Sequence, residues 1–215
     1  MGAGLKLLAF VLSALLVIAN GTGHAVELTT RNYAGQPVLY IHGSFEADDG
    51  GRVADYLKAH PETREVHFHS PGGLLREGIA VGQVLRDASL ATRVPGNAVC
   101  VSACVWAFLG GVIRIVDADA KFGVHMSTLI FNEELIGVLK EKLSEQSYED
   151  IDVPLRYFMA RTEKAAARAA ADKAEHLVRM GVSLRLLAPG LDTDQWDVHW
   201  LSRRELRDYN VMNVE

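Results

Sequence analysis

The sequence predicts an α/β domain built on a mostly parallel sheet, with a helical C-terminal region. Two observations carry that expectation. From Val38 to His125, short β-branched or aromatic runs alternate with segments of helical spacing, the pattern of strands joined by crossover helices. Beyond Asn132 such runs give way to two helical stretches, the second rich in alanine. The 215 residues suffice for one domain with a substantial core, and 49% hydrophobic with 23% charged residues is ordinary globular composition.

The elements follow in order. Val38 to His42 reads as a buried strand closed by Gly43, and Asp48-Asp49-Gly50-Gly51 breaks it. Arg52 to Ala59 places Val53, Tyr56 and Leu57 on one helical face, and Pro61 ends that helix. Glu65 to His69 is a second strand, stopped by Ser70-Pro71-Gly72-Gly73. Leu74 to Ala88 reads as a helix, with Gly78 and Gly82 one turn apart where it can approach another backbone closely. Ala91 to Val94 is a strand, Cys100 to Leu109 an apolar helix, and Val112 to Val116 and Phe122 to His125 two further strands. Asn132 to Ser147 reads as an amphipathic helix. Asp152-Val153-Pro154 opens a long one that runs to Met180 and is capped by Gly181, and Ser202 to Tyr209 is a short closing helix.

The N-terminus stands apart. Lys6 precedes an apolar run from Leu7 to Ala19, and small residues at Gly23 and Ala25 match the pattern that signal peptidases cut after. The run is shorter than the roughly 20 residues of a spanning helix. Residues 1–25 are therefore expected to be a signal peptide and residues 26–215 one exported domain without a spanning segment, with an uncleaved N-terminal anchor as the alternative. The formal net charge of −5 and the lack of a basic cluster argue against nucleic acid as a partner. In an oxidising compartment Cys100 and Cys104 are close enough in sequence for a disulfide; the same spacing accommodates two reduced, buried thiols.

Three places can carry chemistry. A strand ending in Ser70-Pro71-Gly72-Gly73 ahead of a helix exposes backbone N–H groups suited to developing negative charge. Ser102, after a Gly-containing turn and near a helix start, can be a nucleophile if a base reaches it, with the N–H of Ala103 as a second donor. His125, at a strand end, can be that base. His67 and His69 share a strand face, but no Cys, Asp or Glu completes a ligand set at a recognisable spacing, so neither metal nor cofactor is expected. Trp196 and Trp200 are read as covering the core edge.

The order strand-Gly, strand-Ser-Pro-Gly-Gly-helix, Gly-turn-Ser-helix, strand-His resembles the proteolytic subunit of the Clp protease and its crotonase-fold relatives. The likeness runs from Val38 to Met126 and returns at Ser202 to Val211. Cys100-Val101-Ser102-Ala103-Cys104 and Met180-Gly181-Val182-Ser183 resemble an exported, periplasmic protein-like branch of that family. The resemblance implies a ClpP/crotonase-like spiral of β-β-α units. It makes Ser102 the nucleophile, His125 the general base, and the N–H groups of Gly73 and Ala103 the oxyanion hole of a periplasmic serine peptidase-like hydrolase acting on a peptide or protein. Such folds assemble into rings or stacked trimers, so a homo-oligomer is open.

The third triad member departs from the family pattern. Asp197 is the nearest acid, but it falls one position early, Val198 takes the matching place, and Asp194 is the fallback. Lys121 offers a Ser/Lys variant. The rivals are a catalytically inactive binding or assembly module, and acyl-CoA chemistry, against which export and the lack of a phosphate pocket both argue.

Overall fold

The computed structural model describes residues 25–127, 136–137, 140–141 and 152–214. The expected signal peptide, apart from Ala25, and most of the expected helix from Asn132 to Ser147 lie outside the described residues. Among those described, no helix is long and apolar enough to cross a membrane.

Strands β1 (Glu27–Tyr33) and β2 (Gln36–His42) form an antiparallel hairpin. Its turn residues, Ala34 and Gly35, have φ of 49° and 80°, the positive values that a tight two-residue hairpin requires. The sequence predicts no strand before Val38, since most of the residues from Leu28 to Tyr33 are polar. As the edge of the sheet, β1 needs only one apolar face.

From β2 the chain repeats one pattern: a strand in the main sheet, a short extended piece in a second layer, then a helix. After β2, Phe45 bridges to Gly73 and α1 (Asp49–Ala59) follows. After β3 (Glu65–His69), Ser70 bridges to Cys100 and α2 (Leu75–Asp87) follows. After β4 (Ala91–Val94) come β5 (Val99–Val101) and α3 (Ala103–Phe108); β6 (Ile113–Val116) then leads into β7 (Lys121–Val124). The main sheet has the order β1-β2-β3-β4-β6 and is parallel from β2 onward. The second sheet is β5-β7-β8, where β8 (His199–Trp200) runs antiparallel to β7. This is the expected α/β spiral of β-β-α units with a helical C-terminal region: α4 (Asp152–Met180), α5 (Leu187–Asp192) and α6 (Arg203–Asp208).

One boundary is corrected. Cys100 does not open a helix; it lies in β5, between β-branched Val99 and Val101, and α3 begins only at Ala103. The core fills the space between the sheets and helices, with Phe68, Phe108 and Phe122 meeting edge to face. Helices α2 and α3 pass in backbone contact: a methyl group at Gly78 would lie 2.9 Å from the Ala103 carbonyl carbon. Gly78 and Gly82 thus serve the close approach their spacing suggested. Trp196 is exposed, whereas Trp200, although partly exposed, lays its ring against buried Gly123 of β7 and so covers that edge.

Arg114 on β6 is buried and ties this layered body to its C-terminal third. Its guanidinium donates to the carbonyls of Val211 (2.9 Å), Asn210 (2.8 Å), Gly111 (2.9 Å) and Met180 (3.4 Å). Burial, with Arg86 nearby, pushes it down to about 10, so it stays charged at neutral pH. Arg114→Met would remove this donor from four carbonyls, of which Gly111 and Met180 keep a bond from Arg86, whereas buried Val211 has no such replacement. Its expected cost is roughly 3–5 kcal/mol, read as a lower urea midpoint at unchanged slope.

Candidate active site

Ser102 is the one residue between β5 and α3, and its backbone is held at φ 58°, ψ −122°. A non-glycine side chain rarely adopts that geometry, and its strain persists only where the surroundings enforce it. Here the N–H of Ser102 donates to the Gly123 carbonyl (3.3 Å), and its own carbonyl accepts from Val105 N–H (3.0 Å). A disulfide between Cys100 and Cys104, with Cα atoms 5.3 Å apart, joins the two arms of the elbow. Both cysteines are fully buried. Of the two states the sequence permitted, the bridge is the one formed. It is reachable because Cys100 precedes the helix.

The Ser70-Pro71-Gly72-Gly73 turn lies directly against this elbow. Ser70 is buried; its N–H donates to Val99 O (2.8 Å), its carbonyl accepts from Val101 N–H (3.2 Å), and its Oγ accepts from Gly72 N–H (3.1 Å). The serine of this motif therefore clamps the turn to β5. Gly72 and Gly73 take φ of 112° and 128°. A methyl group at Gly72 would sit 2.6 Å from Ser102 Cβ and 3.0 Å from Ala103 N, and one at Gly73 would sit 2.5 Å from Phe45 N. Both positions demand glycine by conformation and by space. Among the described residues the N–H groups of Gly73 and Ala103 have no acceptor.

His125 follows β7. Val124 pairs with His199, and Met126 N–H donates to Thr193 O (2.9 Å), so the backbone on either side of the imidazole is held. The ring's Nδ1 lies 2.8 Å from the Met126 carbonyl. A carbonyl only accepts, so Nδ1 carries the proton and Nε2 keeps the lone pair. Ser102 and His125 line one cleft of about 730 Å³, together with Gly73, Trp106 and residues of α4 and α5. No hydrogen bond joins the two side chains among the described contacts.

The two acids that the sequence offers as third member, Asp197 and Asp194, lie outside the cleft lining, which does include Glu46 and Asp172. Asp197 is exposed, its Oδ1 accepts from Val198 N–H (2.7 Å), and it is not part of the cleft lining. Asp194 is also exposed. Val198 packs against Gly123 on β7, so the position where the family pattern wants an acid is apolar. Lys121 is exposed with its ammonium 5.5 Å from the Trp200 ring centre, and the cleft lining does not include it. His67 pairs with Glu65 (2.8 Å), which Arg93 also holds (2.7 Å). Among the described residues no group of three or more His, Cys, Asp or Glu side chains could hold a metal ion.

Sequence reasoning missed two features of this cleft. The Met126 carbonyl as partner of His125 leaves no trace in residue type. Lys173 on α4 does leave one: Ala165, Ala169, Lys173 and Leu177 recur at four-residue spacing, which puts a lysine on an otherwise small and apolar helical stripe.

No known family's sequence pattern matches the chain, and no curated protein matches it. Among solved structures, a point mutant of ClpP1 from Listeria monocytogenes is similar over 81% of this chain and 88% of that one, with 17% sequence identity and a TM-score of 0.47.

Proposed function

We propose that the chain is an exported, periplasmic serine peptidase-like hydrolase of the Clp protease-like kind. The observation that carries this reading is the strained Ser102, presented at a strand-to-helix elbow beside two unpaired backbone donors. Ser102 Oγ attacks a peptide carbonyl while His125 Nε2 takes its proton. The carbonyl oxygen becomes an oxyanion held by the N–H groups of Gly73 and Ala103. The tetrahedral intermediate then collapses, and the imidazolium gives its proton to the departing amine. Water, deprotonated by the same Nε2, releases the acyl group and restores Ser102.

In this reading the Met126 carbonyl does part of what an acid does in a triad: it fixes the tautomer and the ring orientation. It lacks the full negative charge that stabilises an imidazolium, so a slow enzyme is expected. Asp197→Asn should change turnover by less than about twofold, against the orders of magnitude expected of an orienting carboxylate. A kcat comparison on one activated ester decides between them.

The test of the function is a fluorophosphonate probe with peptide mapping by mass spectrometry. An adduct on Ser102 of the native protein is the expected result. No adduct on the native protein would instead make the chain a binding or assembly module. Export through residues 1–25 is tested by N-terminal sequencing of the secreted protein, with Val26 expected first.

A further inference from the structure

Lys173 projects from α4 into the cleft that Ser102 and His125 line, although the residue is 95% buried, with a relative exposure of 5%. A buried ammonium normally faces a carboxylate, because an unpaired one is costly to take out of water. Lys173 faces none among the described residues. Asp172, the adjacent acid on the same helix, is held by Arg168 at 2.6 Å, and Glu46, which also lines the cleft, makes no ion pair with Lys173. Among the described residues the partner of the ammonium is the ring of Trp106, whose centre is 5.4 Å away. Trp106 lies four residues beyond Ser102, one turn along α3.

The placement of Lys173 is enforced. One turn further along α4, His176 is buried with Nε2 donating to the Trp106 carbonyl (2.8 Å), and Gly82 makes room for its ring. The end of α4 is fastened by Arg86 and Arg114, both of which donate to the Met180 carbonyl. Burial pushes the ammonium of Lys173 down to about 8, so it is still mostly charged at neutral pH. The protein thus keeps a poorly solvated positive charge on a wall of an open cleft.

We infer that Lys173 is a specificity-determining residue that receives a carboxylate of the peptide bound in the cleft that Ser102 lines. The ligand class is an acidic peptide, its carboxylate supplied either by the free C-terminus or by a Glu or Asp side chain. That this peptide is a substrate rests on the hydrolase reading above; the carboxylate pocket does not.

The test uses the full chain carrying Ser102→Ala, so that nothing is turned over, and three tetra-alanine probes carrying an uncharged BODIPY label on a capped N-terminus, read by anisotropy. One probe has a free C-terminal carboxylate, one a C-terminal amide, and one an amide with a single internal glutamate. At least one carboxylate probe should bind about tenfold or more tighter than the neutral amide, and which one does so identifies the source of the carboxylate. Adding Lys173→Met should bring the three affinities together, with Lys173→Gln as the substitute if the methionine variant fails to fold. Lys173→Arg, which keeps the charge, should preserve the ranking. Equal binding of all three probes to the Ser102→Ala protein, no measurable binding of any, or a ranking that survives Lys173→Met would each overturn the inference. The Ser102 adduct is measured separately on the native protein, so its absence would sink the hydrolase and leave these affinities to decide the pocket.

Discussion

Ser102→Ala should lower turnover of an activated peptide ester by about 10⁴–10⁶-fold, and His125→Ala should lower it by a similar factor. The nucleophile and base act as a unit, so the double variant should be no slower than the worse single one. That non-additivity separates a working pair from two residues that merely share a cleft. The geometry gives the reason. Ser102 is held at the elbow by the Gly123 carbonyl and the disulfide, and His125 is held with Nε2 as its open nitrogen by the Met126 carbonyl. Each is useful only if the other is present when substrate closes the distance. Single-turnover kinetics of the four proteins would check it. Losses that multiply in the double variant would mean that His125 is not the base for Ser102.

Gly72→Ala should cost about 10²–10³-fold in the same assay while the protein stays folded. At φ 112° an alanine is strained, and its methyl would lie 2.6 Å from Ser102 Cβ, 2.9 Å from Val101 O and 3.0 Å from Ala103 N. Relief must move either the Pro-Gly-Gly turn or the elbow, and both motions separate the two N–H donors from the oxyanion. Substrate binding along the rest of the cleft is left in place. The expected signature is therefore a fall in kcat with KM little changed and a native near-ultraviolet circular dichroism spectrum. A parallel rise in KM without loss of kcat would place the turn in substrate binding and remove it from the oxyanion hole.

The motifs were legible because they consist of residues with few alternative uses. Gly72 and Gly73 sit where no side chain fits. Ser102 follows a β-branched strand and precedes an apolar helix, and His125 directly follows the strand that ends at Val124. Gly78 and Gly82, one turn apart, announced the close passage of α2 over α3. Other features could not be read this way. The polar edge strand β1 has no periodicity of its own and is defined by pairing with β2. The four carbonyls that hold Arg114 come from residues 111, 180, 210 and 211, and carbonyls have no residue type.

The sequence by itself determined the α/β alternation, the helical C-terminal region, the Pro-Gly-Gly turn, and Ser102 and His125 as candidates. Each is written in local spacing or in a residue's backbone limits. Only the tertiary structure decided that Cys100 and Cys104 are joined across the elbow, that a backbone carbonyl and not Asp197 meets the His125 ring, and that Lys173 points into the same cleft. Those outcomes depend on which segments the fold brings within a few ångströms. Such distances are set by the packing of α4 and the second sheet, and no spacing along the chain encodes them.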